Sequence, residues 1–186
     1  MPLLKREPDL YPPDLFSAGG ESRPWWAAHV RSRQEKSLAR HLLERQLPFY
    51  LPQQEKRVAA HGRVRTSHLP LFPGYVFFRG GSEERLAVLR SQLVVRTLEV
   101  RDQTLLDAEL ARLWRLQATG ALLVPHEWLG PGDEVKVTEG PFQGFTGTVV
   151  REGGSDRLIV SVTLLRRAVA ATFSRDQLAP ATPGRS

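Results

Sequence analysis

The 186-residue chain contains no cysteine, which removes disulfides and thiolate chemistry from consideration and fits a reducing compartment. No apolar run approaches the ~18 residues needed to span a bilayer. The opening stretch, MPLLKREPDLYPPDLFSAGGESRP, lacks the apolar centre and small-residue cleavage site of a secretion signal. The five histidines (His29, His41, His61, His68, His126) are scattered, and none pairs at i,i+4 spacing around a carboxylate, so no metal site is expected. G-x-S-x-G, the P-loop and G-x-G-x-x-G are all missing. The glycines of EGPFQGFTG are followed by neither Lys-Ser/Thr nor a helix, and Asp133-Glu134 reads as strand-entry surface charge. With no nucleophile, metal or cofactor pattern, the expectation is a binding protein without a cofactor, not an enzyme. It is expected to be cytoplasmic and monomeric, with no membrane partner.

What the chain does have is positive charge. The net charge is +6 and the pI near 10.3, which points to a polyanionic partner without naming one. The surplus is local. From Arg23 to Arg65, ten Lys/Arg face only Glu35, Glu44 and Glu55, so this segment exceeds the net charge of the whole chain. Residues 131–178 balance at six basic against six acidic, which argues against folded RNA as the target of the C-terminal part.

Residues 1–22 are rich in proline and glycine without periodicity and are expected to be a flexible leader. The stretch PWWAAHV alternates as a strand, with Trp25, Ala27 and His29 on one side and Trp26, Ala28 and Val30 on the other. Ser32 and Glu35 have capping-box spacing, and Leu38, Ala39, Leu42, Leu43 and Leu47 form the buried stripe of the helix that follows. Pro48 stops it and FYLP is a short strand. Val58 and Val64 flank His61-Gly62, which predicts a β-hairpin with a basic tip. GYVFFR is a strand, SEERLAVLRSQ a helix from Ser82, and LVVRTLEV a strand. TLLDAELARLWRLQ is a helix capped by Thr104 and Asp107, with Leu106, Leu110, Leu113 and Trp114 inward. The order predicts an α+β sandwich over residues 23–118. Residues 119–130, with glycines and prolines and no period, read as a linker. The short strands DEVKV, TGTVV, LIVSVTLL and RRAVAATF predict a small all-β barrel over 131–180.

Three groups of residues have the chemistry to bind. Arg31 and Arg33 at the start of the first helix, with Arg57, Arg63 and Arg65 on the hairpin, suit a phosphate backbone. LPLFPGYVFF carries no charge; its Phe72, Pro73 and Tyr75 sit in a stiff turn, near Leu51 and one of the two tryptophans, and suit an apolar protein contact. Leu165, beside Arg166 and Arg167, closes the otherwise mixed face of LIVSVTLL, alongside Ile159, Ser161 and Thr163.

WWAAHVRSRQEKSLARHLLERQ followed by LPLFPGYVFFR resembles the N-terminal domain of the NusG family of transcription elongation factors. GPGDEVKVTEGPFQGFTGTVV resembles its KOW motif, which heads an SH3-like barrel. The resemblance covers residues 24–178. It implies an NGN-like sandwich that binds the clamp helices of bacterial RNA polymerase, through Trp26, Leu51, Phe72, Pro73 and Tyr75, and suppresses pausing or termination. Specialised members of the RfaH type also touch non-template DNA in the transcription bubble. That role falls here on Arg31, Arg33 and His41, with the hairpin arginines Arg57, Arg63 and Arg65. The KOW domain of the family recruits a small-subunit ribosomal protein or Rho, which implicates Phe142, Leu165 and Arg167. Arg166 stands where a glycine is commoner. The long leader and the wording of LPLFPGYVFF resemble a specialised antitermination paralogue more than a housekeeping one, and localisation with the nucleoid follows through polymerase. The rival reading is a structural KOW protein of ribosomes or RNA. The glycines at 140, 144, 147, 153 and 154 would each cost roughly 1 kcal/mol in a helix interior, so the C-terminal domain is expected to be a constitutive β barrel.

Overall fold

Alternating apolar residues in Trp25–Val30 and the unbroken apolar run after Gly74 make two central strands, and the N-terminal sheet is built around them. The computed structural model describes residues 8–17, 22–60, 63–126, 134–137, 143–152, 155–173 and 178–180. Its elements are β1 (Leu10–Tyr11), β2 (Trp25–Val30), α1 (Glu35–Glu44), β3 (Phe49–Tyr50), β4 (Gln53–Ala60), β5 (Arg63–Pro70), β6 (Tyr75–Arg79), α2 (Ser82–Arg90), β7 (Val94–Glu99) and α3 (Gln103–Ala118). They continue with β8 (Leu123–His126), β9 (Glu134–Val137), β10 (Thr146–Glu152), β11 (Ser155–Val162), β12 (Arg167–Phe173) and β13 (Leu178–Pro180). No helix among the described residues is long and apolar enough to cross a membrane.

The chain divides into two units, residues 1–104 and 105–186. In the first, an antiparallel sheet runs β1-β3-β6-β2-β7. One face carries α1 and α2. Leu38, Ala39 and Leu42 of α1 pack there against Ala28, Val30, Phe49, Val76 and Phe78, as the helical stripe predicts. Burying each leucine removes about 2 kcal/mol of apolar exposure. The hairpin β4–β5 is paired along its full length, from Gln53↔Pro70 to Ala60↔Arg63, as a separate two-stranded sheet. The expected turn residues His61 and Gly62 lie outside the described residues.

In the second unit the antiparallel sheet runs β13-β9-β10-β11-β12-β8. This is the expected C-terminal β domain, and the α+β class holds for the chain. Gly147 of β10 is required by close packing: a Cβ there would stand 2.6 Å from the Ile159 carbonyl oxygen on β11.

Several expectations need correction. The leader is not wholly flexible, because residues 10–11 pair with β3 and Leu15 is only 2% exposed. The expected linker 119–130 contains β8, which pairs with β12 from Leu123↔Ala171 to His126↔Ala168. The division between units falls near the start of α3, not after it. Ser32 does not cap α1, whose first-turn N–H groups receive no side-chain cap. The helix read from Thr104 starts at Gln103, and Glu109 and Leu116 are buried with its predicted leucines while Trp114 is only half-buried. The strand read through Leu165 stops at Val162 and turns into a short 3-10 segment, Thr163–Leu165. Ile159 on the mixed face of β11 is buried along with Leu158, Val160 and Val162, while Arg157 and Ser161 beside it are half-buried.

Candidate protein- and nucleic-acid-binding surfaces

A proline followed by a glycine fixes the reversal between β5 and β6. Tyr75 N–H donates to the Phe72 carbonyl at 3.1 Å, with Pro73 second and Gly74 third at φ +88°, the geometry of a type II turn. Both backbone groups of Gly74 are then tied down. Its N–H donates to Glu35 Oε1 at 2.8 Å, and its carbonyl accepts from Val30 N–H at 2.9 Å. The carboxylate that sequence spacing assigns to a helix cap therefore holds this turn instead. Pro73 is exposed and Tyr75 half-buried. The Tyr75 ring stacks on His29 at 5.1 Å with 21° between planes.

Strand alternation decides which neighbours share that surface. Across β2–β6 the pairs are Trp25↔Arg79, Ala27↔Phe77 and His29↔Tyr75, and Tyr50 of β3 sits opposite Phe77. These residues occupy the sheet face turned away from α1 and α2. Phe72 joins them edge-on to Phe77 at 6.3 Å, but it is only 2% exposed. Leu51 and Trp26 lie on the other side, within or against the helix-side core. Trp26 is further fixed by Nε1–H donating to the Gly80 carbonyl at 2.9 Å and by the Arg85 guanidinium 4.9 Å from its ring. Of the five residues expected at a protein contact, the structure thus presents Pro73 and Tyr75, places Phe72 beneath them, and gives Leu51 and Trp26 to the core. His29 is the member that was missed. Its signal was available, since the alternation already puts it on the side of Trp25.

The basic residues separate into two groups. Arg31 and Arg33 are exposed in the turn before α1, and Arg33 takes a left-handed φ of 60°. The Arg31 N–H is anchored on the Leu93 carbonyl at 2.9 Å. Arg57, Arg63 and Arg65 belong to the hairpin, whose eight-residue strands run about 26 Å from base to tip. Arg57 is exposed and its Nε donates to Glu55 at 2.7 Å, which raises its pKa and offsets part of its charge locally. His41 has its pKa lowered, first by burial and then by the Arg45 guanidinium beside it. Arg45 donates to its Nδ1 at 3.1 Å, so the ring accepts there and is neutral. His41 is therefore a hydrogen-bonding group and not a standing cation.

In the second unit Glu109 of α3 is 5% exposed. It accepts from both Thr163 N–H, at 3.1 Å, and Thr163 Oγ1, at 2.5 Å. That bond sets the 3-10 turn bearing the half-buried Leu165, followed by Arg166 in the left-handed region at φ 48°. Arg167 is exposed at the start of β12. Arg115 of α3 lies 5.7 Å from the Phe145 ring. Phe142 lies outside the described residues.

The family profile described as "Transcription termination factor nusG" matches residues 23–113, and that of the KOW motif matches residues 131–151. A Pseudomonas aeruginosa protein named "Transcription termination/antitermination protein NusG" is 27% identical over 159 residues, covering 77% of this chain and 89% of its own. Among solved structures, a crystal structure of an MjSpt4:Spt5 complex matches at 15% identity and TM-score 0.26, over 87% of this chain and 99% of its own.

Proposed function

Since the chain belongs to the NusG family of transcription factors, we propose that it binds the clamp helices of bacterial RNA polymerase through the Pro73–Gly74–Tyr75 turn and the aromatic face beside it, and so suppresses pausing or termination. The observation that carries this reading is the turn itself. It offers an exposed proline and a stacked tyrosine on a backbone already held by Glu35 and Val30, so little ordering remains to be done on binding. An aromatic anchor that becomes buried on binding is the usual centre of a protein interface.

Arg31 and Arg33 would meet the non-template DNA of the bubble, with the hairpin arginines Arg57, Arg63 and Arg65 contributing salt-dependent attraction. His41 would lie beside that contact, its Nδ1 already accepting from Arg45. The KOW domain would recruit a ribosomal protein or Rho through Leu165 and Arg167, with Phe142 a further contact by the family motif. The two roles suit one chain whose charge is concentrated in its N-terminal part.

The test is a binding assay with core RNA polymerase. Tyr75→Ala should weaken the complex by about thirtyfold, the effect of losing a hot-spot residue worth ~2 kcal/mol. Unchanged affinity refutes the surface. Binding to duplex RNA with none to polymerase would favour the ribosomal reading instead.

A further inference from the structure

The N-terminal leader ends up on the same sheet face. β1 extends the sheet beyond β3, with Leu51 N–H donating to the Asp9 carbonyl at 2.7 Å. The chain then turns, Leu15 N–H to Pro12 and Ser17 N–H to Asp14, burying Leu15 and setting Phe16 against the face away from α1 and α2. Phe16 stacks on Trp25 at 6.0 Å and meets Tyr50 edge-on at 5.2 Å. Trp25 and His29 lie on one side of β2, about 13 Å apart. A partner element running along β2 from the Tyr75–His29 pair therefore reaches Phe16.

We propose that the leader segment Asp9–Ser17 is an internal ligand of the aromatic face, which RNA polymerase must displace to occupy the whole of it. The inference rests on the polymerase-binding reading above. Two features make the segment removable while the face beneath stays built. The segment's pairing with the sheet is only a two-residue strand, and segments so lightly held open at far lower free energy than a core. Trp25 is held independently of it. Trp25 N–H donates to Gln103 Oε1 at 2.7 Å, Gln103 Nε2 donates to the Trp25 carbonyl at 3.1 Å, and the Arg79 guanidinium lies 4.4 Å from its ring. The Tyr50 phenol carries a further mark of the closed state: burial first, and Asp9 second, push its pKa well above 10. Lifting the leader takes the Phe16 ring off Tyr50 and Asp9 away from it.

The experiment measures affinity for core bacterial RNA polymerase with the full chain in four forms. The wild type is compared with L15S/F16S, which opens the leader, and with L10C/Y50C, which closes it. Leu10 and Tyr50 face each other across β1–β3 as a pair without mutual backbone bonds, at the ~4.5 Å Cα separation a disulfide accepts. The chain has no other thiol, so the reduced form of L10C/Y50C is the control for its oxidised form. If the leader is docked about 90% of the time, L15S/F16S should bind about tenfold more tightly. Oxidised L10C/Y50C should bind several-fold more weakly than when reduced. Phenolate absorbance should show Tyr50 ionising at lower pH in L15S/F16S.

Equal affinities throughout, or weaker binding by L15S/F16S with its β2–β6 amides still protected from exchange, would overturn the inference and leave the polymerase reading intact. Should L15S/F16S not fold, the two redox forms decide alone. Absence of binding by all four forms refutes the polymerase reading itself.

Discussion

Replacing Glu35 by alanine removes the side chain that joins α1 to the β5–β6 turn. Glu35 is 8% exposed and its Oε1 accepts the Gly74 N–H at 2.8 Å. Hydrogen bonds to charged acceptors contribute ~1.5–3 kcal/mol, and a part-buried N–H left without a partner costs a similar amount. The expected loss for Glu35→Ala is therefore about 2 kcal/mol. Glu35→Gln keeps a carbonyl oxygen in reach and loses only the charge assistance, so it should cost about 1 kcal/mol. Because the chain holds two units, a single melting curve would mix their transitions. Native-state amide exchange at Gly74 and along β2–β6 reads the N-terminal unit by itself.

Gly74 should exchange faster in Glu35→Ala than anywhere else in the ladder, because its own bond is the one removed. The same change should weaken polymerase binding without altering any residue placed at the contact, since the turn bearing Pro73 and Tyr75 then has one backbone anchor, Val30, instead of two. If Glu35→Ala falls within ~0.5 kcal/mol of wild type, the ordinary range for an inert surface change, the positioning role is refuted. It is equally refuted if Glu35→Gln is as damaging as Glu35→Ala.

Gly147→Ala should destabilise the C-terminal sheet by ~1–3 kcal/mol, because its Cβ would meet the Ile159 carbonyl at 2.6 Å and force β10 from β11; a neutral effect in denaturant unfolding contradicts that packing. Glu109→Ala strips both Thr163 donors of their acceptor and should cost about 2 kcal/mol, with faster exchange at the Thr163 amide as its local signature. Tyr50 favours its neutral form when folded, so its contribution to stability is complete below the unfolded tyrosine value of ~10 and is lost as pH rises from there toward the higher folded value. Phenolate absorbance of the native protein that is complete near pH 10 would contradict that burial.

The parts of the fold that rest on a repeating apolar period were legible. Leu38, Ala39 and Leu42 announce the buried side of α1, and the alternation about Val58 and Val64 announces a hairpin. The parts that depend on a distant partner were not. Ser32 and Glu35 have capping spacing, but the Glu35 carboxylate finds a better-placed donor in Gly74, 39 positions away. The β-branched run LIVSVTLL continues past the end of its strand because Glu109 of α3 takes the Thr163 N–H for itself. Pro125 makes residues 123–126 look like a linker, yet β8 is the last strand of its sheet, where a missing N–H breaks no ladder.

The candidate site shows the same limit at the scale of one residue. Trp25 and Trp26 are adjacent, so a strand must send them to opposite faces. Sequence alone does not say which face receives the helices. Trp26 does not share a face with Tyr75: Trp26 pairs with Phe78, while His29 pairs with Tyr75. Once α1 and α2 take the side of Ala28 and Val30, Trp25 and His29 follow to the aromatic face. Trp25 then needs cover, and a leader without periodicity supplies it through Phe16. A segment with no pattern of its own gains a defined place because the alternation of β2 leaves a large ring for it to bury.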